Sequence, residues 1–241
     1  MKKRPRIRDG FLLIESLFAL TFLLLLILSS IEFFGSARRL FFKLQDAQLD
    51  RESGLAALEK LKSDALQAGQ GLIFPIQLGL TEGIGIEDAT LILKNAAETG
   101  VLAEDARAGQ TVIQVENAED FAAGRTIYLT GSSEGESRAI ATVGGGSLTL
   151  TSPLAHDYAK GTGAVALVQT ISYYLDSEQH VLRRKVNSSS GQPVLEGVQS
   201  FSAGRTENGR LVTAELRLLS RPDLSFEIAL LPKNLALIKR S

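Results

Sequence analysis

An apolar run near the amino terminus is the strongest feature of the hydrophobic pattern. It extends from Phe11 to Ile31, 21 residues in which Glu15 is the only charged side chain. About 20 apolar residues in a helix cross the hydrocarbon core of a bilayer, so this run predicts a transmembrane helix over 11–31. A carboxylate inside such a run is costly in lipid, which indicates that Glu15 has a partner. A cleaved secretory signal peptide and a plain signal anchor are the alternatives, but the run is longer than an ordinary signal core.

The pattern after the run predicts that the helix continues to about residue 69. Between residues 38 and 68 there is no proline, and strong helix formers dominate. Apolar residues recur at three- and four-residue steps, which is typical of an amphipathic helix. They are Leu40, Leu44, Ala47, Leu55, Leu58, Leu61 and Ala65. Gly69 and Gly71 mark the expected end. The alternative is two helices, broken near Ser29-Ser30 or at Gly35.

Residues 70–241 carry the periodicity of strands. The signal is weak from 71 to 109, where 89–93 is a strand candidate and the glycine-containing stretch 75–85 is expected to be loop. Short strand-like runs fill 110–168, and Gly144-Gly145-Gly146 is suited to a tight hairpin. We expect this part to be a small β module inserted in the domain. Alternation from Gln169 onward places Ile171 and Tyr173 on one sheet face. The chain as a whole therefore predicts an α+β fold, with the long helix packed on an antiparallel sheet.

Charge and composition limit the possible partners. The net charge of the chain is −1, but Lys2, Lys3, Arg4, Arg6 and Arg8, with one acid, precede the apolar run, so the rest carries −5. This argues against a nucleic-acid partner, which a basic face would indicate. Basic residues before a spanning helix stay in the cytoplasm, which places the amino terminus inside and the bulk of the chain outside. The chain contains no cysteine.

The candidate catalytic and ligand motifs are weak. Gly131-Ser132-Ser133-Glu134-Gly135 matches G-x-S-x-G, but strands are expected on both sides, whereas a hydrolase needs a strand followed by a helix. His156 and His180 have no ligand-like spacing, and the acidic cluster Glu116, Glu119 and Asp120 lacks a calcium-loop pattern. We therefore expect no enzyme activity, no metal and no cofactor. A membrane-anchored enzyme or binding protein remains the alternative from another functional class.

The amino terminus resembles that of type IV prepilins. The resemblance rests on a basic leader ending in Gly10, then Phe11, and Glu15 in the fifth position after that junction. It implies that a membrane prepilin peptidase removes residues 1–10 and N-methylates Phe11. It also implies a pilin fold, in which a helix over 11–69 packs on a head formed by 70–241, with the β module at 110–168. Glu15 would then pair with the Phe11 amine during assembly.

The carboxyl-terminal part is similar to PilW-like minor pilins. The order of its motifs carries the likeness: paired tyrosines at Tyr173-Tyr174, then Leu182-Arg183-Arg184, then Leu195-Glu196-Gly197-Val198 leading to Phe201, and a closing strand. The resemblance implies a non-enzymatic subunit that primes or caps a type IV pilus, with other minor pilins and the major pilin as partners. Its location would be the bacterial inner membrane, single-pass, and then the fibre in the periplasm or at the cell surface. The alternative is a J-type minor pseudopilin of a type II secretion system.

Overall fold

The computed structural model describes residues 8–205 and 211–236. The chain divides into two compact units, Met1–Glu52 and Ser53–Ser241. Within the described residues the helices are α1 (Arg8–Gln67), α2 (Ile73–Gln77) and α3 (Lys233–Ala236), with a 3₁₀ turn at Ala118–Asp120. All paired strands are antiparallel. The predicted α+β class is therefore confirmed.

Twelve strands are found in the described residues. They are β1 (Ile84–Glu87), β2 (Thr90–Val101), β3 (Val112–Gln114), β4 (Thr126–Thr130), β5 (Gly135–Gly144), β6 (Ser147–Leu150), β7 (Ala164–Asp176), β8 (Val181–Val186), β9 (Gln192–Glu196), β10 (Val198–Arg205), β11 (Val212–Leu218) and β12 (Ser225–Leu230). Nine of them form one sheet, in the order β1-β2-β7-β4-β5-β6-β3, with β8 paired to β7 and β9 paired to β8. The other three form a second sheet, β10-β11-β12.

The first helix is continuous through the positions where a break was considered. Ser29, Ser30 and Gly35 all lie inside α1. In the first unit every large apolar side chain from Leu13 to Leu49 is exposed. This follows from the sequence, because the segment is apolar on all sides and a single helix in that unit offers nothing to bury it.

In the second unit the last turns of α1 bury one face. Ala57, Leu58, Leu61, Ala65 and Ala68 are buried there. The prediction that Leu55 belongs to this face is wrong, since its side chain is 47% exposed. The buried line runs through Gly54, seven residues before Leu61, and a Cβ on Gly54 would lie 2.9 Å from the ring of Phe226. The close approach of that ring takes the place of a larger helix side chain.

The segment after the helix differs from the expected loop. Gly69 and Gly71 have φ of 77° and 69°, and a Cβ on Gly71 would lie 2.6 Å from the Cβ of Ala96 on β2. The stretch 75–85 was predicted as loop, but it contains part of α2 and the start of β1. Around α2, Leu72, Ile76 and Leu80 cover Tyr128, Ala166 and Val168 on one face of the large sheet, whereas Ile84 of β1 is buried in the core that α1 shares.

Besides the cluster under α2, strand β7 contributes to two larger hydrophobic cores. Its second half contributes Ile171 and Tyr173 to a core that also holds the buried face of α1 and residues of β10, β11 and β12. Its first half contributes Val165 and Leu167 to a separate core. The members of that second core include Leu102, Ile113, Ile127, Ile140, Leu148 and Tyr158. Strand β2 pairs with β7 along the whole length, from Leu91↔Tyr173 to Val101↔Ala164. The inserted β module at 110–168 stays a prediction, but its own core begins at Leu102 and β7 crosses the proposed boundary at residue 168.

Candidate functional site

The predicted processing site lies in the first turns of α1. Gly10 and Phe11 have helical backbone, while residues 1–7 and the side chains of residues 8–12 lie outside the described part of the structure. The cleavage and N-methylation predicted for Gly10 and Phe11 therefore stay predictions. The structure adds that the junction sits where a long helix begins and not in a preceding loop.

Glu15 lies one turn beyond Phe11 on the same helix. Its side chain is exposed, and no described residue forms an ion pair or hydrogen bond with it. In a segment that is otherwise apolar, a carboxylate is costly in lipid unless a cation pairs with it. The predicted partner, an amine on Phe11, would exist only after cleavage, so the pairing stays a prediction.

Three hydroxyl groups of the apolar run form hydrogen bonds within the helix. The hydroxyls of Ser16, Thr21 and Ser30 donate to the carbonyl oxygens of Leu13, Leu17 and Leu26 at 2.9, 2.8 and 2.7 Å. Such back-bonding removes the need for water, which a bilayer core does not provide. Among the described residues, one helix has the length and composition to cross a membrane, and its apolar stretch is not buried. The helix could therefore anchor the chain in a membrane.

A buried charged cluster in the second unit ties α1 to the large sheet. Asp64 lies on the buried side of α1 and is only 5% exposed. Its Oδ2 accepts a hydrogen bond from the Tyr173 hydroxyl at 2.7 Å and one from Arg184 Nε at 2.5 Å. Lys60, one turn earlier, lies 3.7 Å from Oδ1. We call Asp64, Tyr173 and Arg184 the helix clamp.

The clamp explains two of the motifs that carried the likeness to PilW-like proteins. Tyr173 is the first of the paired tyrosines, and Arg184 is the last residue of the Leu-Arg-Arg motif. They are directly opposite on β7 and β8, so a single carboxylate can reach both. Burial and the hydrogen bond to Asp64 raise the pKa of Tyr173, and the bond to Asp64 raises that of Arg184. Asp64 is not among the residues predicted from the sequence, although a lone acid between Leu61 and Ala65 on a buried face is a signal that it needs partners.

A second buried carboxylate lies in the module core. Glu136 on β5 is 6% exposed and accepts hydrogen bonds from the backbone N–H groups of Ala155 and His156 and from the Tyr158 hydroxyl. Arg138 pairs with the same carboxylate. Burial and the bond to Glu136 raise the pKa of Tyr158. The Glu136 carboxylate therefore has hydrogen-bond and ion-pair partners, and it links β5 to the loop before β7.

The weaker motifs are not assembled into a site. The segment 131–134 is a hairpin loop between β4 and β5, closed by the pair Thr130↔Gly135, so the G-x-S-x-G motif has no following helix. His156 Nδ1 lies 2.8 Å from Glu134, but both side chains are substantially exposed. Glu116, Glu119 and Asp120 are exposed around the 3₁₀ turn. Within residues 8–205 and 211–236 no three His, Asp or Glu side chains are grouped to hold a metal.

Comparison with known proteins adds little. No family model and no curated protein matches the chain. Among solved structures, the chain is similar to the Gp54 tailspike of Acinetobacter baumannii bacteriophage AP22, in complex with a capsular saccharide. The identity is 14%, the TM-score is 0.28, and the match covers 32% of this chain and 15% of the tailspike chain. A likeness at this level carries no argument about fold or function.

Proposed function

We propose that the chain is a minor pilin, a non-enzymatic subunit that primes or caps a type IV pilus. One observation carries the proposal. The Gly10-Phe11 junction and Glu15 stand in order at the start of a helix that is apolar on all sides and exposed. Further support comes from the second unit, where the last turns of α1 share a core with antiparallel strands. In this proposal the fold is a pilin fold, and the helix clamp fixes α1 to the head.

Assembly follows from the cost of Glu15 in lipid. Removal of residues 1–10 by a prepilin peptidase would leave a cationic amine on Phe11. An unpaired charge in the bilayer is unfavourable, and pairing of Glu15 with that amine, in the same or a neighbouring subunit, relieves the cost for both. The subunit would wait in the inner membrane with its amino terminus in the cytoplasm. It would then join other minor pilins and the major pilin in a fibre outside the cytoplasm.

Processing is the first test. The full chain is produced with and without an active prepilin peptidase, and the membrane-extracted protein is analysed by intact mass and amino-terminal sequencing. The proposal expects a chain that begins at methylated Phe11. Gly10→Leu should stay uncut, because a bulky side chain blocks access to the bond. Gly35→Leu is the matched control, since a Cβ there meets no atom within 4 Å, and it should be processed normally. A mature chain beginning at Met1 or after Ala37 would contradict the proposal.

Incorporation is the second test. Glu15→Gln should be processed but should enter sheared fibres several-fold less than the unchanged chain. Glu32→Gln is the control, because it removes an exposed carboxylate at the other end of the apolar run. Mass spectrometry of the proteins that co-purify with the native chain separates the alternatives. Pilus subunits support the minor pilin, whereas secretion pseudopilins would favour the J-type assignment.

A further inference from the structure

The helix immediately after the apolar run has two chemically different sides. At about 100° per residue, the apolar residues of 33–44 other than Phe42 fall on one side of α1, and the basic residues fall on the other. The apolar side consists of Phe33, Phe34, Ala37, Leu40, Phe41 and Leu44. The basic side consists of Arg38, Arg39 and Lys43, and no acid occurs between Glu32 and Asp46. We call residues 33–44 the exit segment.

Both sides of the exit segment are open within the first unit. Phe33, Leu40 and Phe41 are 68%, 59% and 64% exposed. Arg38 lies over the ring of Phe42, 5.4 Å from its centre, so the one aromatic residue on the basic side is covered by a guanidinium. The apolar side has no such cover from the described residues of the first unit. Large aromatic side chains left in water at this density indicate a surface that contacts something apolar.

The length of the segment fits the outer layer of a bilayer. The run 11–31 spans about 32 Å, close to the hydrocarbon thickness of about 30 Å. Residues 11–44 together span about 51 Å, whereas hydrocarbon plus headgroup layers measure about 40–45 Å. A continuous helix fits within that thickness if it tilts by about 35°, inside the observed range of 0–40°. The tilted helix would lay one side of the exit segment down onto the lipid.

We propose that the exit segment is a binding surface for anionic phospholipid headgroups. The apolar side faces the acyl chains, and Arg38, Arg39 and Lys43 bind lipid phosphates on the outer leaflet of the membrane that α1 crosses. This proposal rests on the membrane insertion assumed in the proposed function. It sets the direction of helix tilt, because only one side of the segment is apolar.

Charge complementarity and continuity favour lipid over a protein partner. The exit segment follows the membrane-spanning run without a break in the helix. Each basic side chain near an anionic membrane surface raises the binding constant for that surface by about fivefold. Three such residues, beside an apolar side that fits the acyl boundary, match the composition of interfacial helices that bind anionic lipid.

The depths of two single cysteines test the tilt and its lipid dependence. The chain has no cysteine, so introduced ones are the only labelling sites. Gly35→Cys and Ala37→Cys lie on nearly opposite sides of the helix, roughly 200° apart. A Cβ at Gly35 meets no atom within 4 Å, so that change is tolerated. The full-length chain carries a fluorophore at either site and is reconstituted in phosphatidylcholine vesicles, with or without phosphatidylglycerol. Depth is read from quenching by lipids that carry spin labels at two depths.

We expect the membrane depths of the two labels to be the reverse of their order along the helix axis. Ala37 is about 3 Å farther from the membrane centre than Gly35 in an upright helix. The tilted helix places the Ala37 label deeper, and phosphatidylglycerol should increase its quenching by the deeper spin label several-fold over phosphatidylcholine alone. Replacement of Arg38, Arg39 and Lys43 together by Gln should abolish the phosphatidylglycerol effect. Glu32→Gln, which changes the charge just outside the segment, should preserve it.

Three other results would overturn the proposal. A Gly35 label that is deeper in both lipids means an upright helix with no headgroup binding. A depth order that changes with the protein-to-lipid ratio means that a second copy of the helix, and not lipid, covers the apolar side. If carbonate extracts the chain from the vesicles and neither label is quenched, the helix is not inserted in the membrane. That result alone would also remove the basis of the proposed function.

Discussion

Removal of the Asp64 carboxylate should be among the most damaging single changes in the second unit. Asp64→Ala leaves the Tyr173 hydroxyl without its acceptor and the Arg184 guanidinium without its counter-ion, next to the core of α1 and the sheet. The damage comes mainly from the groups left behind, because a buried pair that loses one partner keeps an uncompensated charge.

The structure sets the size of the effect. Breaking a buried ion pair costs about 3–5 kcal/mol, and an unsatisfied buried hydroxyl costs about 1–3 kcal/mol. The Arg184 side chain is 18% exposed, so water can reach part of it, and Lys60 is half exposed and contributes little. We therefore take the lower end and expect a loss of about 3 kcal/mol in the free energy of unfolding. Tyr173→Phe, which removes one hydrogen bond to a charged group, should cost about 1.5 kcal/mol.

The assay is urea unfolding of residues 53–241, followed by far-ultraviolet circular dichroism. A triple change, Asp64→Leu with Tyr173→Phe and Arg184→Met, is the decisive comparison. It removes the charges together and fills the space with apolar atoms, so it should be more stable than Asp64→Ala alone. A loss of less than about 1 kcal/mol for Asp64→Ala, or a triple variant that is less stable than the single one, would contradict a destabilising role for the buried groups that Asp64→Ala leaves without partners.

Three further predictions follow from the second unit. Ala89→Gly should raise the free energy of unfolding by about 1 kcal/mol, measured by the same urea assay, because Ala89 has a φ of 62° that a Cβ disfavours. Burial raises the pKa of Tyr173 above its ordinary value of 10.0, so the contribution of Tyr173 to stability should be full below that pH and should be lost as the pH rises toward the folded-state pKa. Between about pH 9 and about pH 11, Tyr173→Phe should therefore lose less stability than the unchanged chain in the same assay. Replacing 97–167 by Asn-Gly joins the paired residues Ala96 and Val168 by a two-residue turn, and the shortened chain should keep a cooperative thermal transition. If the shortened chain shows no cooperative transition, the module is an integral part of the head core.

The sequence predicted the elements whose pattern is local. The apolar run, the amphipathic face of α1 and the alternation of Ile171 and Tyr173 each follow from a period that holds over several turns or residues. Those patterns were sufficient for the α+β class and for the core between the helix and the sheet. The hairpin at Gly145-Gly146 was equally predictable, since both glycines have positive φ between β5 and β6.

The features that the sequence did not predict depend on contacts between residues that are distant in the chain. The turn between β1 and β2 uses Asp88-Ala89, both with positive φ, and alanine gives no sign of such a turn. Strand β7 is buried on both faces in its first half and on one face in its second, so its pattern changes within a single strand. Asp64 could be recognised only as an anomaly, because Tyr173 and Arg184 become its partners through the register of β7 and β8. Leu55 shows the opposite error, since the ring of Phe226 fills the space that a helix side chain was expected to occupy.

The pairing of β2 with β7 has a consequence for how the second unit folds. These two strands are neighbours in the sheet, yet most residues of the module core lie between them in the chain. Their ladder can close only after the intervening chain has been compacted, because loop closure costs entropy before the distant contacts repay it. The hairpins β4–β5 and β5–β6 are local and can form first, which shortens the effective loop between Val101 and Ala164. Pairing would then spread along β2 and β7 toward Tyr173, so the side chain that secures α1 would reach Asp64 among the last steps, after the module had already formed.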